Sequence, residues 1–246
     1  MGGTTAMMEA GTFFKTVLRA GRDLVRPDIL FQALWPPAAA FLLWSIVAWF
    51  AWQPMAGWVM ANLPDWQWLN WLGPWLAHVA VFFVFAPLVY FTTLLFVAVF
   101  ALPKMMALIA ARDYPDVSRQ GSASAAFWGS LANTVVAGLI FVVGWLITLP
   151  LLLVPGGLLI LPLFWAAWLN QRAFRFDALA EHARVDERDA IVRREGGSLY
   201  LAGLIGALVA YVPVLHLLAL PYTAVLFVHL CLGALRALRQ EQGVTV

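Results

Sequence analysis

The sequence predicts an all-α integral membrane protein. Of its 246 residues, 63% are hydrophobic and only 11% are charged, a composition typical of membrane proteins. The uncharged residues are collected into four runs, each longer than the roughly 20 apolar residues that a membrane-spanning helix needs. Helices suit this environment because they satisfy their own backbone hydrogen bonds, which lipid cannot do. The runs are residues 29–64, 66–103, 120–171 and 196–235.

The longest run is interrupted at its centre by a proline and two glycines. Residues 120–171 comprise 52 residues without a charge. Pro155 removes a backbone donor and Gly156 and Gly157 free the backbone, which predicts a turn between two helical arms. The second arm, residues 158–171, would span only about 21 Å, less than the roughly 30 Å hydrocarbon core. We therefore expect a hairpin that enters the membrane from one side and stops partway.

The last run repeats this pattern. Pro213 lies near its tip, and its first arm, residues 198–211, is again too short to cross a bilayer comfortably. We expect both hairpin tips to lie within the membrane, and paired proline-broken segments of this kind mark solute sites in transporters. Three small residues at helical spacing favour close helix packing: Ala202, Gly206 and Ala210.

The first two runs are predicted to cross the membrane fully, over about residues 34–52 and 75–102. Tryptophans accumulate between them, in residues 53–74, and tryptophan prefers the membrane–water boundary. We therefore expect an outer loop there. The predicted fold has two long transmembrane helices plus two proline-broken helical hairpins that are partly inserted, with an N-terminal amphipathic interface helix.

The basic residues predict the orientation. All fifteen lie near the N-terminus or within residues 104–119, 172–194 and 236–239. By the positive-inside rule, all four groups are cytoplasmic, as are both termini; we expect a bacterial cytoplasmic (inner) membrane. The predicted organisation is an N-terminal amphipathic segment (1–28), a single helical membrane domain (29–239) with a cytoplasmic helix at about 172–195, and a C-terminal tail (240–246).

Residues 11–28 are predicted to form the amphipathic helix. At about 100° per residue, Lys15, Arg19, Arg22 and Arg26 share one stripe, with Phe13, Val17, Leu24 and Val25 opposite. Such a helix lies in the interface with its basic face toward anionic lipid headgroups. A role in gathering an anionic solute is the alternative.

Several function classes find no support in the sequence. The single Cys231 excludes a disulfide framework or a thiol metal cluster within one chain. A net charge of +2 does not suggest a nucleic-acid partner. Catalytic motifs of metalloproteases, phosphate loops and serine or cysteine nucleophiles are missing. We therefore expect neither an enzyme nor a bound metal or cofactor.

Isolated polar residues in the apolar runs are candidate solute contacts, because polar groups are costly in lipid. They are Asn133, Asn170, Gln171 and His216. Asn170 and Gln171 could equally mark a helix end at the interface. Basic residues at the mouth of an anion path add Arg22, Arg26 and Lys104 as candidate anion-binding residues.

The chain also resembles the CysZ-type sulfate permeases, within the wider etoposide-induced-protein family. The matching residues near the N-terminus are Gly21, Leu24, Val25, Pro27, Ile29 and Pro36. Further along the chain they are Pro64, Asp65, Trp66, Trp168, Phe176 and Asp177, followed by the proline, Leu220, Pro221 and closing arginine of the last hairpin. It departs at Leu30 and Phe31, where sulfate-moving members are expected to carry basic residues, and after Pro103.

The resemblance implies two long crossing helices, two half-inserted hairpins and a small anion, sulfate, as the solute. Half-inserted hairpins need neighbouring subunits to close a path, so a homo-oligomer is expected. A non-transporting membrane scaffold or assembly factor is the alternative function.

The orientation can be tested by cysteine labelling in intact cells. Cysteines introduced as Ser118→Cys and Gln242→Cys should be protected from an impermeant thiol reagent, because the basic groups beside them are retained inside. Asn62→Cys, in the outer connection, should react. Strong labelling of Ser118→Cys without permeabilisation would reverse the predicted topology.

Overall fold

The described residues form eight α-helices and no strand, as predicted. The structure is a computed structural model that describes residues 10–64, 69–212 and 215–243. The helices are α1 (Ala10–Leu24), α2 (Pro27–Ala61), α3 (Leu69–Phe96), α4 (Leu102–Asp113), α5 (Ala123–Thr148), α6 (Gly157–Ala180), α7 (Val185–Ala210) and α8 (His216–Glu241). A π-helical segment, Val97–Ala101, joins α3 to α4, and a 3-10 segment, Leu149–Leu153, follows α5.

Four helical segments are long and apolar enough to cross a membrane. They are Pro27–Ala61, Trp71–Asp113, Ser124–Leu153 and His216–Glu241. Large apolar side chains on α5 point away from the protein; Trp128 is 66% exposed and Ile147 is 72% exposed. Apolar surface of this extent is typical of contact with lipid rather than water. The fold therefore confirms the predicted all-α membrane class.

The chain divides into two compact units. Unit 1 contains Met1–Ile29 and Met105–Val246, and unit 2 contains Leu30–Lys104. In unit 2, α2 and α3 are antiparallel and are joined by two tryptophans. Trp44 Nε1 donates a hydrogen bond to Thr92 Oγ1 (2.8 Å), and Trp52 Nε1 donates to His78 Nδ1 (2.9 Å). These two indoles therefore hold α2 to α3.

The predicted outer loop at residues 53–74 is wrong at both ends. Helix α2 continues through Pro54 to Ala61, and α3 begins at Leu69. The extension forms because it buries apolar surface: Ala56 is buried with Val81, and Met55 and Val59 pack against the same cluster. Burial of this kind outweighs local turn signals. Residues Asp65, Trp66 and Trp68 lie outside the described part.

The second long helix also exceeds its prediction. The π-helical segment carries α3 directly into α4, so Lys104 lies on a helix rather than in a link. Helix α4 ends at Asp113, one residue before Tyr114-Pro115. The helix ends there because a residue preceding proline avoids the helical conformation.

Unit 1 is built around α8, which contacts α1, α6 and α7. All residues from 223 to 232 on α8 are buried. Helix α5 packs against α6 at the edge of the unit. Although α8 is long and apolar enough to span a membrane, two-thirds of its apolar window (67%) is covered by protein. Its hydrophobic residues therefore form a protein core.

Glycines on α7 allow its two neighbours to approach closely. A Cβ atom added at Gly203 would overlap the carbonyl oxygen of Ala167 on α6, and one added at Gly206 would overlap the Thr223 side chain on α8. Ala202 is buried beside them, whereas Ala210 is only half-buried. Small residues thus let α7 pack between α6 and α8.

The two hairpin turns differ in how much of them is described. In the first, Gly156 has a φ of +87°, a left-handed conformation that favours glycine. A Cβ at Gly157 would overlap the Leu151 carbonyl. In the second, Pro213 and Val214 lie outside the described residues.

The predicted cytoplasmic helix at residues 172–195 is wrong. Its residues instead form the end of α6, a turn, and the start of α7. The turn is stabilised at its exit, where Glu187 Oε2 accepts a hydrogen bond from the Arg184 backbone N–H (2.8 Å). A carboxylate that reaches back in this way begins a new helix. The uncharged arms are as short as predicted, but α6 and α7 continue beyond them.

Helix α1 forms as predicted, although it ends at Leu24, and its surface has three sides rather than two. Ala20 and Leu24 are buried, and Tyr222 of α8 donates a hydrogen bond to the Val17 carbonyl oxygen (3.4 Å). A second apolar side is exposed; it contains Phe14 and Leu18. Val25, which follows the last residue of α1, is exposed as well. The basic stripe follows next to this exposed apolar side, an arrangement suited to a membrane interface.

The close approach at Gly203 can be tested by substitution. Gly203→Ala should lower the free energy of unfolding by about 1–3 kcal/mol, because α6 and α7 must separate to admit the methyl group. Gly196→Ala is a matched control on α7, since nothing lies within 4 Å of its added Cβ. That control should be neutral or up to about 1 kcal/mol more stable. Equal melting temperatures of the two purified variants would contradict this packing.

Candidate functional site

A buried polar network joins α1 and α8 with the end of α4. His229 of α8 is 3% exposed, and its Nε2 lies 2.8 Å from Asp23 Oδ2 on α1. Tyr114 Oη donates a hydrogen bond to the His229 carbonyl oxygen (3.1 Å) and lies 3.2 Å from His229 Nδ1. Burial raises the pKa of Tyr114 to about 12. The phenol therefore remains a hydrogen-bond donor at physiological pH.

The carboxylates of this network are neutralised by arginines. Arg112 Nη2 lies 2.8 Å from Asp23 Oδ1 and 2.7 Å from Asp113 Oδ2. Arg19 also approaches Asp113, at 3.4 Å. Arg236 pairs with Asp116, and its guanidinium lies 4.7 Å from the centre of the Tyr114 ring.

The same network has three groups spaced for metal binding. Ligand atoms of Asp23, Asp113 and His229 lie within 4.8 Å of one another. However, the Arg112 guanidinium pairs with both carboxylates, so a metal ion would have to compete with a cation that is already in place. We interpret the cluster as an ion-pair network that fastens α1 and α4 to α8.

A second buried ion pair fastens α7 to α8. Arg239 Nε lies 2.8 Å from Glu187 Oε1, and its Nη2 donates to the His182 carbonyl oxygen (2.7 Å). Both side chains are at most 3% exposed. The hydrogen bonds from Arg239 hold the pKa of the Glu187 carboxyl below its ordinary value, although burial opposes them.

The candidate basic residues are distributed between the two units. Arg22 is exposed on α1, and Lys104 is exposed on α4. Arg26 Nε lies 3.3 Å from Asp28 Oδ1, so part of its charge is compensated. Arg22 and Arg26 belong to unit 1, and Lys104 belongs to unit 2.

The candidate polar residues mostly connect helices. Asn170 of α6 donates to the Gly203 carbonyl oxygen of α7 (3.2 Å), and Asn133 of α5 donates to the Arg172 carbonyl oxygen (3.4 Å). His216 Nδ1 lies 2.8 Å from the Ala210 carbonyl oxygen across the second hairpin. Gln171 is half-buried on α6. Polar groups in apolar helices often serve as such interhelical ties.

Two arginines that the sequence interpretation did not select stand out in the structure. Arg172 and Arg175 are both partly buried on α6, and the Arg172 Nε is buried without a hydrogen-bond partner among the described residues. The Arg172 guanidinium lies 5.7 Å from the centre of the Trp168 ring. A signal was available: these are the first two charges after 52 uncharged residues.

A cavity of about 380 Å³ lies where the start of α5 meets the end of α6 and the start of α7. Arg184 and Arg188 line it, but both have partners. Arg184 lies 3.8 Å from Asp186, and Arg188 donates to the Ala183 carbonyl oxygen (3.3 Å) and lies over the Phe176 ring. The cavity therefore offers an anion less unpaired charge than Arg172 and Arg175 do.

A comparison with known families places these features in context. Residues 16–221 match the family described as Sulfate transporter CysZ/Etoposide-induced protein 2.4. The chain belongs to this family. The match begins within α1 and ends within the second turn of α8, before His229 and Arg239. No curated protein matches the chain. Membership agrees with the resemblance found in the sequence and with a transporter-like membrane protein.

The buried Glu187–Arg239 pair yields a stability prediction. Glu187→Gln should lower the free energy of unfolding by about 3–5 kcal/mol near neutral pH, because it leaves the Arg239 charge buried without its partner. Glu241→Gln, which breaks the exposed pair with Arg194, should have little effect. Thermal unfolding of the purified variants measures both.

The pH dependence of the same pair has a defined sign. The folded-state pKa of Glu187 is lowered, so its stabilisation is present above the ordinary carboxyl pKa and is lost as the pH falls through the folded value. The difference between wild type and Glu187→Gln should therefore shrink below about pH 4. A constant difference down to pH 3 would contradict this assignment.

Proposed function

We propose that this protein transports a small anion across the membrane, with sulfate as the first solute to test. The observation that carries the proposal is the family match over residues 16–221, because the description of that family names a sulfate transporter. Four apolar helical segments long enough to span a membrane are consistent with this role.

The proposal includes a location and an orientation. The grouping of basic residues supports a bacterial cytoplasmic membrane with both termini in the cytoplasm. The three-sided α1 would lie at that surface, with Phe14 and Leu18 in the lipid and its basic stripe near anionic headgroups. Membrane lipids are then one partner, and further copies of this chain are another, because short hairpins need neighbours to enclose a path.

At the cytoplasmic face, exposed basic residues would raise the local anion concentration. A basic residue near a membrane surface is worth about 1 kcal/mol for an anionic group, which corresponds to about a fivefold enrichment. Arg22 and Lys104 carry this role best because they are exposed, whereas Asp28 compensates part of the Arg26 charge. Screening within about 8 Å reduces the enrichment at physiological ionic strength.

A membrane scaffold is the second candidate function. It is favoured by the extent of internal charge pairing, since the buried Arg239 is neutralised by Glu187 and Arg112 by two aspartates. Leu30 and Phe31 also favour a scaffold, because sulfate-moving relatives are expected to carry basic residues at these positions.

Uptake of radiolabelled sulfate into proteoliposomes separates the two candidates. The wild-type protein should give flux above that of empty liposomes. Arg22→Gln with Lys104→Gln should reduce the flux several-fold at low salt and less at physiological salt, because the effect is one of screened charge. Arg193→Gln, an exposed cation on α7, is the control. Absence of any anion flux with correctly oriented wild-type protein would reject transport and favour the scaffold.

A further inference from the structure

Helix α6 changes character abruptly at Arg172. Its residues from 157 to 171 are uncharged, and Arg172 and Arg175 then follow three positions apart. Side chains at this spacing lie on the same face of a helix. The two arginines therefore lie on one face of α6 where the apolar arm ends.

Among the residues that the structure describes, no carboxylate forms an ion pair with either arginine. The Arg172 Nε is buried without a hydrogen-bond partner in the described part of the chain. Burial lowers the pKa of the Arg175 guanidinium, and the neighbouring Arg172 charge lowers it further. Arg175 nonetheless keeps its charge at physiological pH, because a guanidinium does not lose its proton in proteins.

The nearest acidic residue along α6 is engaged elsewhere. Asp177 accepts a short hydrogen bond from the Ser130 hydroxyl of α5. Asp177 lies two positions after Arg175, so its side chain projects about 200° around the helix from that arginine. This contrasts with the buried Arg239, which has Glu187, and with Arg112, which has Asp23 and Asp113.

Adjacent, partly buried guanidinium groups without a carboxylate are suited to a ligand that carries the missing negative charge. Guanidinium donors form a planar fork that binds oxyanions through two parallel hydrogen bonds. The Trp168 ring lies 5.7 Å from the Arg172 guanidinium and supports it in one orientation. The backbone is held as well, because the Arg172 carbonyl oxygen accepts a hydrogen bond from Asn133.

We propose that Arg172 and Arg175 form a binding site for a tetrahedral oxyanion at the base of the first hairpin. The ligand is either free sulfate or the phosphate group of a lipid headgroup, which share this chemistry. If the ligand is sulfate, the proposal rests on the proposed transport function and identifies where the solute binds. The site itself is tested by binding, independently of flux.

The first experiment measures equilibrium binding of radiolabelled sulfate to the purified full chain in detergent. Arg172→Gln and Arg175→Gln should each weaken binding by about tenfold or more, because each removes charge-assisted hydrogen bonds. Arg172→Lys should lose less sulfate affinity than Arg172→Gln, since lysine retains the positive charge but not the planar fork of donors. Arg193→Gln should bind sulfate as the wild type does.

The second experiment identifies a lipid ligand. Native mass spectrometry follows phosphatidylglycerol that remains bound to protein extracted from vesicles of phosphatidylglycerol and phosphatidylcholine. If the lipid headgroup is the oxyanion, the wild type and Arg193→Gln retain phosphatidylglycerol, whereas Arg172→Gln and Arg175→Gln lose it. In that case none of the four proteins binds sulfate. Unchanged sulfate binding and unchanged lipid retention in Arg172→Gln and Arg175→Gln would overturn the site.

A third measurement uses only the wild-type protein, in case the substitutions disturb folding. Phenylglyoxal modifies arginines, and peptide mass spectrometry reports each rate separately. Bound oxyanion should slow modification at Arg172 and Arg175 by several-fold without protecting Arg193. Equal rates with and without sulfate and phosphatidylglycerol would reject the site.

The flux and binding measurements distinguish failure of the transport proposal from failure of the proposed site. Oxyanion binding at Arg172 and Arg175 without flux would reject transport and retain the site. Sulfate flux that is equal in the wild type, Arg172→Gln and Arg175→Gln, together with unchanged sulfate binding and unchanged lipid retention in both variants, would reject the site and retain transport.

Discussion

Close packing around α8 is the constraint on which the rest of unit 1 depends. Ten consecutive residues, 223–232, are buried on every side of this helix, which requires neighbours around its whole circumference. Helix α7 can provide one of them only because Gly203 and Gly206 lack side chains where α6 and α8 approach. The apolar character of α8 is therefore used mainly for protein contacts.

Burial of α8 also explains why its polar residues are paired. A charge or a polar group left unpaired in a low-dielectric interior is unfavourable, so the His229 ring and the Arg239 guanidinium need partners from other helices. Asp23 of α1 and Glu187 of α7 provide them. The same contacts that satisfy these groups also attach α1 and α7 to α8. The polar networks are consequently structural connections between helices, whether or not solute passes nearby.

Against this background, the arginine pair at the end of the uncharged arm of α6 is an exception. Where Arg239 has a carboxylate from its own chain, Arg172 and Arg175 have none among the described residues. An oxyanion from outside the chain would restore the balance that the other buried cations already have. The family to which the chain belongs makes a small anion a chemically reasonable occupant. The exposed basic residues of α1 differ in kind, because water and lipid headgroups can solvate them.

The sequence by itself determined the membrane class, the two long apolar segments and the two broken hairpins. These features depend on composition and on residues close together in the chain, so periodicity and turn chemistry reveal them. Only the tertiary structure decided that α2 continues through Pro54, because the extension is stabilised by burial against α3. It also decided which charges are paired: Asp23 and His229 are 206 positions apart, and local spacing carries no information about such neighbours. Arg172 and Arg175 are recognisable in the sequence as basic residues, but the absence of a carboxylate partner among the described residues depends on how the other helices pack around α6.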